Sequence, residues 1–217
     1  MCHSVYEEES RAEACQSAGI IHTLGPDAPL GTGNLKQGDR VAIEPGIPCR
    51  RCVRCKDGKY NLCAQMSFAA TPPIDGTLCR YYRVPADFCY KLPDHVSLEE
   101  GALVEPTSVA VHVVKLADVR PGSSVVVYGA GPVGLLCLAV AKAFGASNVV
   151  TVDINEERVK FAEKYAVTAS FRPQKGETVE KSAARLNREC GLGDGADIAI
   201  DASGAEVCMQ QAVHCLR

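Results

Sequence analysis

Residues 125–134 read Val-Val-Val-Tyr-Gly-Ala-Gly-Pro-Val-Gly, and this stretch decides the fold of the chain. Four β-prone residues lead into the pattern G-x-G-x-x-G, and an apolar helical pattern follows from Leu135 to Phe144. A second predicted strand, Asn148 to Val152, leads to the acid Asp153, which lies 19 residues after the last glycine. This order of strand, glycine turn, helix, strand and acid predicts a dinucleotide-binding α/β fold.

Each part of this pattern has its own physical role. Gly129 permits the tight turn, Gly131 lets a pyrophosphate approach the backbone, and Gly134 lets the helix pack closely on the strand. The helix N-terminus offers free N–H groups and the positive end of its dipole to the phosphates. Asp153 can accept hydrogen bonds from both hydroxyls of an adenosine ribose and would repel a 2′-phosphate, so NAD is predicted rather than NADP. A glycine-rich turn in some other α/β domain is the alternative, but it does not account for Asp153.

Composition and charge indicate a globular protein with one large or two small domains. The chain has 217 residues, 47% of them hydrophobic and 23% charged, and its net charge of −3 gives no support for nucleic-acid or membrane-surface binding. The longest apolar run, Val125 to Ala141, is interrupted by three glycines and a proline, which excludes it as a membrane span. No signal-peptide pattern opens the chain, so we expect a cytoplasmic protein.

Four of the twelve cysteines form a spaced group, Cys49-x-x-Cys52-x-x-Cys55-x7-Cys63. Four thiols this close together, with no long apolar run between them, are typical of a closed, structural zinc site. Five nearby cations would offset the double negative charge of a zinc tetrathiolate: Arg50, Arg51, Arg54, Lys56 and Lys59. Adjacent disulfides are the alternative, which a reducing compartment disfavours. Most other cysteines, such as Cys137, lie singly in apolar patterns and are predicted to be buried thiols.

The patterns on either side of these motifs predict further elements. Residues 1–14 are polar and lack any period, so we expect disorder or a frayed helix there. A helical stretch runs from Leu98 through Leu116 and ends at Pro121-Gly122, and it is a candidate hinge between lobes. Further strands are predicted at residues 19–25, 77–84, 88–92, 168–171 and 197–201, and residues 38–43 are predicted to be a turn that enters another strand. Further helices are predicted at 155–165, 177–189 and 205–216.

Several longer motifs carry a resemblance to a known family. They are the four-cysteine loop, Arg40-Val41-Ala42-Ile43-Glu44-Pro45-Gly46, Ala69-Ala70-Thr71-Pro72-Pro73-x-Asp75-Gly76, Phe88-Cys89-Tyr90-Lys91-Leu92-Pro93 and Glu100-Gly101-Ala102-Leu103-Val104-Glu105-Pro106. Over about residues 17–217 the chain resembles the zinc-containing medium-chain dehydrogenases, and within them the polyol dehydrogenases. The resemblance implies an α/β protein with a partial GroES-like, β-rich lobe at residues 15–108. A truncated Rossmann domain with a doubly wound parallel sheet is expected at residues 109–217.

The resemblance also implies zinc- and NAD-dependent oxidation of a small-molecule polyol. Conversion of xylitol to D-xylulose is the leading expectation, with sorbitol, arabinitol or threonine dehydrogenase-like chemistry as alternatives, and the complete family fold is a homo-oligomer. Glu105 matches the family's glutamate beside the catalytic zinc; a helix-start carboxylate favoured by the dipole is the alternative. Val133, Asp153 and Arg158 match positions that hold the adenosine side of NAD.

Two departures from the family pattern lower the activity that we expect. Family members have an early cysteine ligand in a Gly-Ile-Cys-Gly-Ser-Asp-type motif and a His-Glu pair before Ser-Ala-Gly. In this sequence Cys15 and Gln16 precede Ser17-Ala18-Gly19, and neutral glutamine is a poor replacement for a carboxylate.

A complete doubly wound sheet also needs about six strands, and four are predicted. We therefore expect a fragment truncated at both ends, with an open sheet edge, an incomplete catalytic zinc site and negligible turnover. A non-catalytic zinc- and nucleotide-binding module that assembles with full-length subunits is one alternative. A chain that does not fold stably is the other.

Overall fold

The computed structural model of the protein describes residues 2–3, 16–26, 28 and 34–217. The expectation for residues 1–14 and the position of Cys15 therefore lie outside the described residues, apart from the backbone pairing of Cys2–His3. The chain divides into two compact units, Met1–Glu105 and Pro106–Arg217. This division and the predicted boundary after residue 108 both fall within one helix, Val104–Leu116, so the exact domain limit stays a prediction.

Short strands dominate the first unit. They are β1 (Cys2–His3), β2 (Ser17–Ile21), β3 (Arg40–Ile43), β4 (Gly46–Ile47), β5 (Ser67–Phe68) and β6 (Cys89–Lys91). An antiparallel sheet has the order β1-β2-β3-β6, while β4 pairs with β5 separately. The helical pieces of this unit are short: α1 (Val53–Lys56), α2 (Leu98–Ala102) and 3-10 turns at Tyr60–Leu62 and Ala86–Phe88.

Both faces of the first unit's sheet are buried. Ile21, Val41 and Ile43 belong to one apolar cluster, and Ala18 and Ala42 belong to another. Because successive side chains of a strand point to opposite faces, β3 contributes to both clusters. This explains why its four residues read as a nearly continuous apolar run rather than as an alternating one.

Helix α2 begins with a reciprocal cap and packs closely on the sheet. The hydroxyl of Ser97 accepts a hydrogen bond from the N–H of Glu100 at 3.1 Å, and the Glu100 carboxylate accepts one from the N–H of Ser97 at 2.7 Å. A Cβ atom at Gly101 would lie 2.5 Å from the side chain of Leu92. Glycine at this position therefore permits the close approach of helix and sheet.

The second unit alternates helices and strands. They are α3 (Val104–Leu116), β7 (Ser124–Tyr128), α4 (Pro132–Ala143), β8 (Asn148–Val152), α5 (Glu156–Tyr165), β9 (Ala169–Phe171), α6 (Val179–Glu189), β10 (Ile198–Asp201) and α7 (Glu206–Cys215). The strands form one parallel sheet in the order β10-β7-β8-β9, with β10 at one edge. This is the 4-1-2-3 arrangement of a doubly wound fold, so the predicted α/β class is confirmed.

Strand β7 lies at the centre of the second unit. Val125 and Val127 pack in one apolar cluster with side chains of α3 and α4, and Val126 and Tyr128 pack in another with side chains of α6 and α7. All four side chains are fully buried, as expected for a parallel strand that helices cover on both faces. None of the helices in the described residues combines the length and apolar character that a membrane span requires.

The structure corrects three of the predicted elements. Thr77–Val84 is not a strand: Tyr82 and Val84 pack against the sheet, but only Tyr82 forms a β bridge. The strand predicted at residues 19–25 begins at Ser17 and ends at Ile21, which pairs with the carbonyl of Asp39 and the N–H of Gly38, and residues 22–25 belong to no strand. An alternating apolar pattern in a sequence predicts which side chains face the core. It does not predict whether the backbone has a neighbouring strand to which it can hydrogen-bond.

The third correction concerns the predicted helix from Leu98. It is divided at Leu103 into α2 and α3, and α3 ends at Leu116 rather than at Pro121. Asp118 adopts a left-handed φ of 52°, and the N–H of Val119 bonds back to the carbonyl of Val114 at 3.2 Å. This cap closes the helix before the proline-glycine turn is reached.

Candidate functional site

The turn after β7 requires glycine at two positions. Gly129 has a φ of +98°, and a Cβ atom there would lie 3.0 Å from the backbone of Ala202. A Cβ atom at Gly134 would lie 1.8 Å from the carbonyl oxygen of Gly129. The first glycine therefore allows the turn, and the second allows α4 to begin directly against the end of β7.

Gly131 has a different environment, which leaves room for a ligand. It is the N-cap of α4, its backbone is extended, and no side chain caps the helix. A Cβ atom at Gly131 would meet nothing within 4 Å. The first turn of α4 thus presents its N–H groups and positive dipole end to open space, and Pro132 at the first helical position favours this geometry. A pyrophosphate fits this cradle.

The carboxylate of Asp153 is fixed against the glycine turn. It accepts a hydrogen bond from the N–H of Ala130 at 2.7 Å through Oδ2 and one from the N–H of Asn155 at 2.8 Å through Oδ1. The structure therefore brings Gly129, Gly131 and Asp153 together at the carboxyl ends of β7 and β8. Each carboxylate oxygen keeps a lone pair that can accept a hydrogen bond from a ribose hydroxyl.

Val133 and Arg158 lie on the two helices that flank this turn. The side chain of Asn155 caps α5 by accepting from the N–H groups of Glu157 and Arg158 at 2.9 and 3.1 Å, which fixes the start of that helix. Both Val133 and Arg158 are exposed. A groove beside the glycine turn is lined by residues of both helices: Gly131, Pro132, Leu135, Glu157, Arg158 and Phe161.

The four thiols of the cysteine loop converge on one point. The Sγ atoms of Cys52 and Cys55 are 3.4 Å apart, those of Cys49 and Cys55 are 3.9 Å apart, and Cys52 and Cys63 are also separated by 3.9 Å. A disulfide needs a separation of about 2.05 Å, so these cysteines are unpaired. Zinc–sulfur bonds of about 2.3 Å in a tetrahedron give sulfur–sulfur edges of about 3.8 Å. The donor set therefore fits zinc.

Backbone amides lower the pKa of one of these thiols, and burial raises the pKa of another. Hydrogen bonds from the N–H groups of Arg51 and Cys52 lower the pKa of Cys49 to about 6. Burial raises the pKa of Cys55 to about 12, and the neighbouring thiols add to that rise. The cluster thus forms one thiolate readily and resists further negative charge, a conflict that a divalent cation relieves.

Glu105 is a half-buried carboxylate in the first turn of α3. Burial raises its pKa, and the charge of Glu44 raises it further. The carboxylate of Glu44 accepts a hydrogen bond from the hydroxyl of Tyr90 at 2.7 Å. Because Glu105 lies in the first turn of α3, the helix dipole can also favour its carboxylate, so its place beside a catalytic zinc stays a prediction.

The positions expected to hold a catalytic zinc do not form a ligand set in the described part of the chain. Gln16 is exposed and supplies no carboxylate, and Cys15 lies outside the described residues. Among residues 16–26, 28 and 34–217, the four-cysteine loop is the one group of three or more side chains placed to hold a metal ion. These residues therefore fit a structural zinc and not a second, catalytic one.

Comparison with known proteins finds a family match in each half of the chain. Residues 11–94 match the alcohol dehydrogenase GroES-like domain, and residues 132–217 match the zinc-binding dehydrogenase family. A probable D-xylulose reductase A from Aspergillus fumigatus is 60% identical over 202 residues, which cover 93% of this chain and 55% of the relative. The chain thus spans about half the length of the curated relatives that it matches.

Solved structures show the same architecture. An oxidoreductase of unknown specificity from Escherichia coli has a TM-score of 0.83 at 38% identity, covering 93% of this chain and 56% of that one. A putative zinc-binding dehydrogenase from Sinorhizobium meliloti, bound to NADP, has a TM-score of 0.83 at 27% identity, covering 94% of this chain and 57% of that one.

The fold and the two family matches together define a class, the zinc-binding dehydrogenases. Within that class, the chain belongs to the zinc-containing medium-chain alcohol and polyol dehydrogenase family.

Proposed function

We propose that this chain serves the zinc- and NAD-dependent oxidation of a polyol, with xylitol to D-xylulose as the preferred reaction and sorbitol or arabinitol as the alternatives. The observation that carries the cofactor assignment is the Asp153 carboxylate, held beside the glycine turn by the N–H of Ala130. The substrate class is supported by the 60% identity to the Aspergillus fumigatus relative named as a probable D-xylulose reductase.

The second unit supplies the nucleotide contacts of this proposal. The first turn of α4, opened by Gly131, binds the pyrophosphate, and Asp153 accepts hydrogen bonds from the adenosine ribose. Val133 and Arg158 flank the adenosine side. When bound, NAD takes up the hydride that leaves the alcohol carbon. A 2′-phosphate would lie against the Asp153 carboxylate, so the charge of this residue favours NAD over NADP.

The first unit supplies the metal loop and a carboxylate. Cys49, Cys52, Cys55 and Cys63 hold a zinc ion that fixes the loop and has no open position for substrate. Glu105, with its raised pKa, accepts a hydrogen bond or a proton from the substrate hydroxyl. The cytoplasmic setting, the family's homo-oligomer and the division into lobes at residues 15–108 and 109–217 belong to the same proposal.

A turnover assay with paired variants tests the function. We expect the purified chain to bind NAD with negligible NADH formation from xylitol, because Gln16 cannot replace a carboxylate ligand. The double variant Cys15→His, Gln16→Glu restores the missing pair, and we expect xylitol-dependent NADH formation above the unaltered chain. Parallel rates on sorbitol and arabinitol rank the substrates. Robust turnover by the unaltered chain would contradict the role assigned to the missing pair.

A second candidate function is a non-catalytic zinc- and nucleotide-binding module that assembles with full-length subunits. The observation that favours it is that the four-cysteine loop is the one candidate metal site in the described residues. This function predicts one zinc per chain and affinity for NAD or ADP-ribose. It also predicts that the double variant stays inactive, which separates it from the first proposal.

A further inference from the structure

Arg50 has an unusual backbone conformation in the four-cysteine loop, between Cys49 and Cys52. Its φ is 62°, in the left-handed region that favours glycine. The N–H of Cys49, which directly precedes this turn, donates a hydrogen bond to Cys63 Sγ at 3.4 Å. The N–H of Cys52 also donates to Cys49 Sγ, at 3.4 Å. The left-handed turn at Arg50 therefore lies between two backbone amides that donate hydrogen bonds to the thiols.

The side chain of Arg50 is held by residues outside the loop. Its guanidinium makes two contacts of 2.8 Å with the carboxylate oxygens of Asp87. Its Cζ atom also lies 5.1 Å from the centre of the Phe88 ring. A two-pronged contact with a carboxylate fixes the direction of an arginine as well as its distance, and the aromatic face adds a second restraint.

The neighbouring arginines of the loop provide an internal comparison. Arg51 and Arg54 are exposed, and neither forms an ion pair within the described residues. Arg50, Arg51 and Arg54 bring the same charge to the same loop, but only Arg50 combines a left-handed backbone with a fixed side chain. If charge alone supported zinc binding, all three arginines would contribute to the zinc affinity. If the geometry of the loop supports it, the contribution would come from Arg50.

We propose that Arg50 is a positioning residue of the metal site. Its side chain, anchored on Asp87 and Phe88, keeps the backbone between Cys49 and Cys52 in the left-handed turn that directs the amides at the thiolates. The inference rests on the proposed zinc occupancy of the four-cysteine loop. Groups that orient metal ligands typically change metal affinity by about 10–100-fold when they are removed, and this sets the scale of the expected effect.

Zinc transfer to a chromogenic chelator tests the proposal. We expect Arg50→Ala to lower zinc affinity by about 10–100-fold, and the matched control Arg54→Ala to stay within about threefold of the unaltered chain. Arg50→Lys keeps the charge but loses the two-pronged contact, so it should resemble Arg50→Ala. Arg50→Gly loses the side chain but adopts the left-handed turn without strain, so its loss should be smaller than that of Arg50→Ala.

The anchor is tested by a second set of variants. Asp87→Asn should weaken zinc binding, and its effect combined with Arg50→Ala should be less than the product of the two single effects. The far-ultraviolet circular dichroism of each variant, compared with that of the unaltered chain, reports whether both units have folded. Equal losses in Arg50→Ala and Arg54→Ala would overturn the proposal and leave only charge compensation. Absence of zinc from the unaltered chain would instead refute the proposed metal site itself.

Discussion

At the residue scale, the carboxylate of Asp153 combines a structural role with a predicted role in nucleotide binding. One oxygen accepts the N–H of Ala130 in the glycine turn, and the other accepts the N–H of Asn155 at the start of α5. The acid therefore connects the glycine turn to the start of α5 through hydrogen bonds that do not require a bound nucleotide. Because its charge and position are fixed, it can discriminate between a ribose hydroxyl and a 2′-phosphate.

Removal of this charge should reduce the preference for NAD over NADP. In Asp153→Asn we expect NAD affinity to fall by about 10–100-fold, since a hydrogen bond to a charged group contributes about 1.5–3 kcal/mol. NADP affinity should stay unchanged or improve, because the repulsion of the 2′-phosphate is lost. Calorimetric titration measures both. The control is Asp194→Asn, an exposed acid of the same unit, which should alter neither affinity.

Two glycines of one motif should respond differently to the same added methyl group. Gly134→Ala places a Cβ atom 1.8 Å from the carbonyl oxygen of Gly129, and we expect loss of at least about 1–3 kcal/mol of folding stability. Gly131→Ala places its Cβ atom in open space, so the chain should fold normally but bind NAD more weakly. Urea unfolding and NAD titration separate the two effects. A stable, NAD-binding Gly134→Ala chain would contradict this description of the turn.

The sequence predicts residues whose role follows from local spacing. The spacing along the chain predicts a dinucleotide site at Gly129, Gly131, Gly134 and Asp153. The structure places these residues at one end of the parallel sheet. The contact between Asp153 and Ala130 spans 23 residues and has no sequence signal of its own. The anchoring of Arg50 on Asp87 spans 37 residues, and the sequence suggests only that the arginine offsets charge.

At the element scale, the second unit follows its sequence pattern closely because its elements are local and well capped. The predicted strands and the helices α4 to α7 form with bounds shifted by at most about three residues, whereas α3 is shorter at both ends than the predicted helix. Asn155 and Thr178 cap α5 and α6 as side-chain acceptors, which is a signal readable from sequence. The predicted strand at Thr77–Val84 fails because a strand needs a partner, and pairing between distant segments is not encoded in a local alternation.

Removal of zinc should unfold the four-cysteine loop. Neither α1 nor the 3-10 turn at Tyr60–Leu62 contains a buried residue, so the loop has little apolar core of its own. We therefore expect a chelator to abolish amide protection across residues 49–63, because the metal supplies the free energy that orders them. Strands β7 and β8 serve as the internal reference and should keep their slow exchange. Unchanged protection of the loop after metal removal would contradict a structural zinc site.

The ion pair of Glu177 and Arg185 should make the second unit sensitive to acid. Arg185 donates two hydrogen bonds of 2.9 Å to the carboxylate and lies over the ring of Phe171. These bonds lower the pKa of Glu177 to about 2. Since the folded-state pKa lies below the unfolded value, the stabilisation is complete above about pH 4.5 and is lost as the pH falls toward 2.

The corresponding variant tests this assignment. Glu177→Gln should lower stability at neutral pH and reduce the slope of unfolding free energy against pH between about 4.5 and 2. Urea unfolding at several pH values in this window measures the slope. Glu157→Gln, an exposed acid on α5, is the control and should leave the slope as it is. If both variants kept the full slope, other carboxylates would have to account for the acid sensitivity.

At the scale of the whole molecule, each of the two units carries one of the two candidate sites. The unit Met1–Glu105 holds the cysteine loop and Glu105, and the unit Pro106–Arg217 holds the glycine turn and Asp153. Family membership was predictable from long motifs, and the matches over residues 11–94 and 132–217 confirm it. The proposed activity, with its dependence on Cys15 and Gln16, stays a prediction, because local patterns do not determine substrate contacts.

The central claim is that the turn at Gly129–Gly134, together with Asp153, forms an NAD site. The most direct measurement is calorimetric titration of the purified, zinc-loaded chain with NAD and, separately, with NADP. We predict saturable binding of one NAD per chain and binding of NADP that is weaker by at least about tenfold. Absence of NAD binding by the folded chain, or equal affinity for the two nucleotides, would contradict the account.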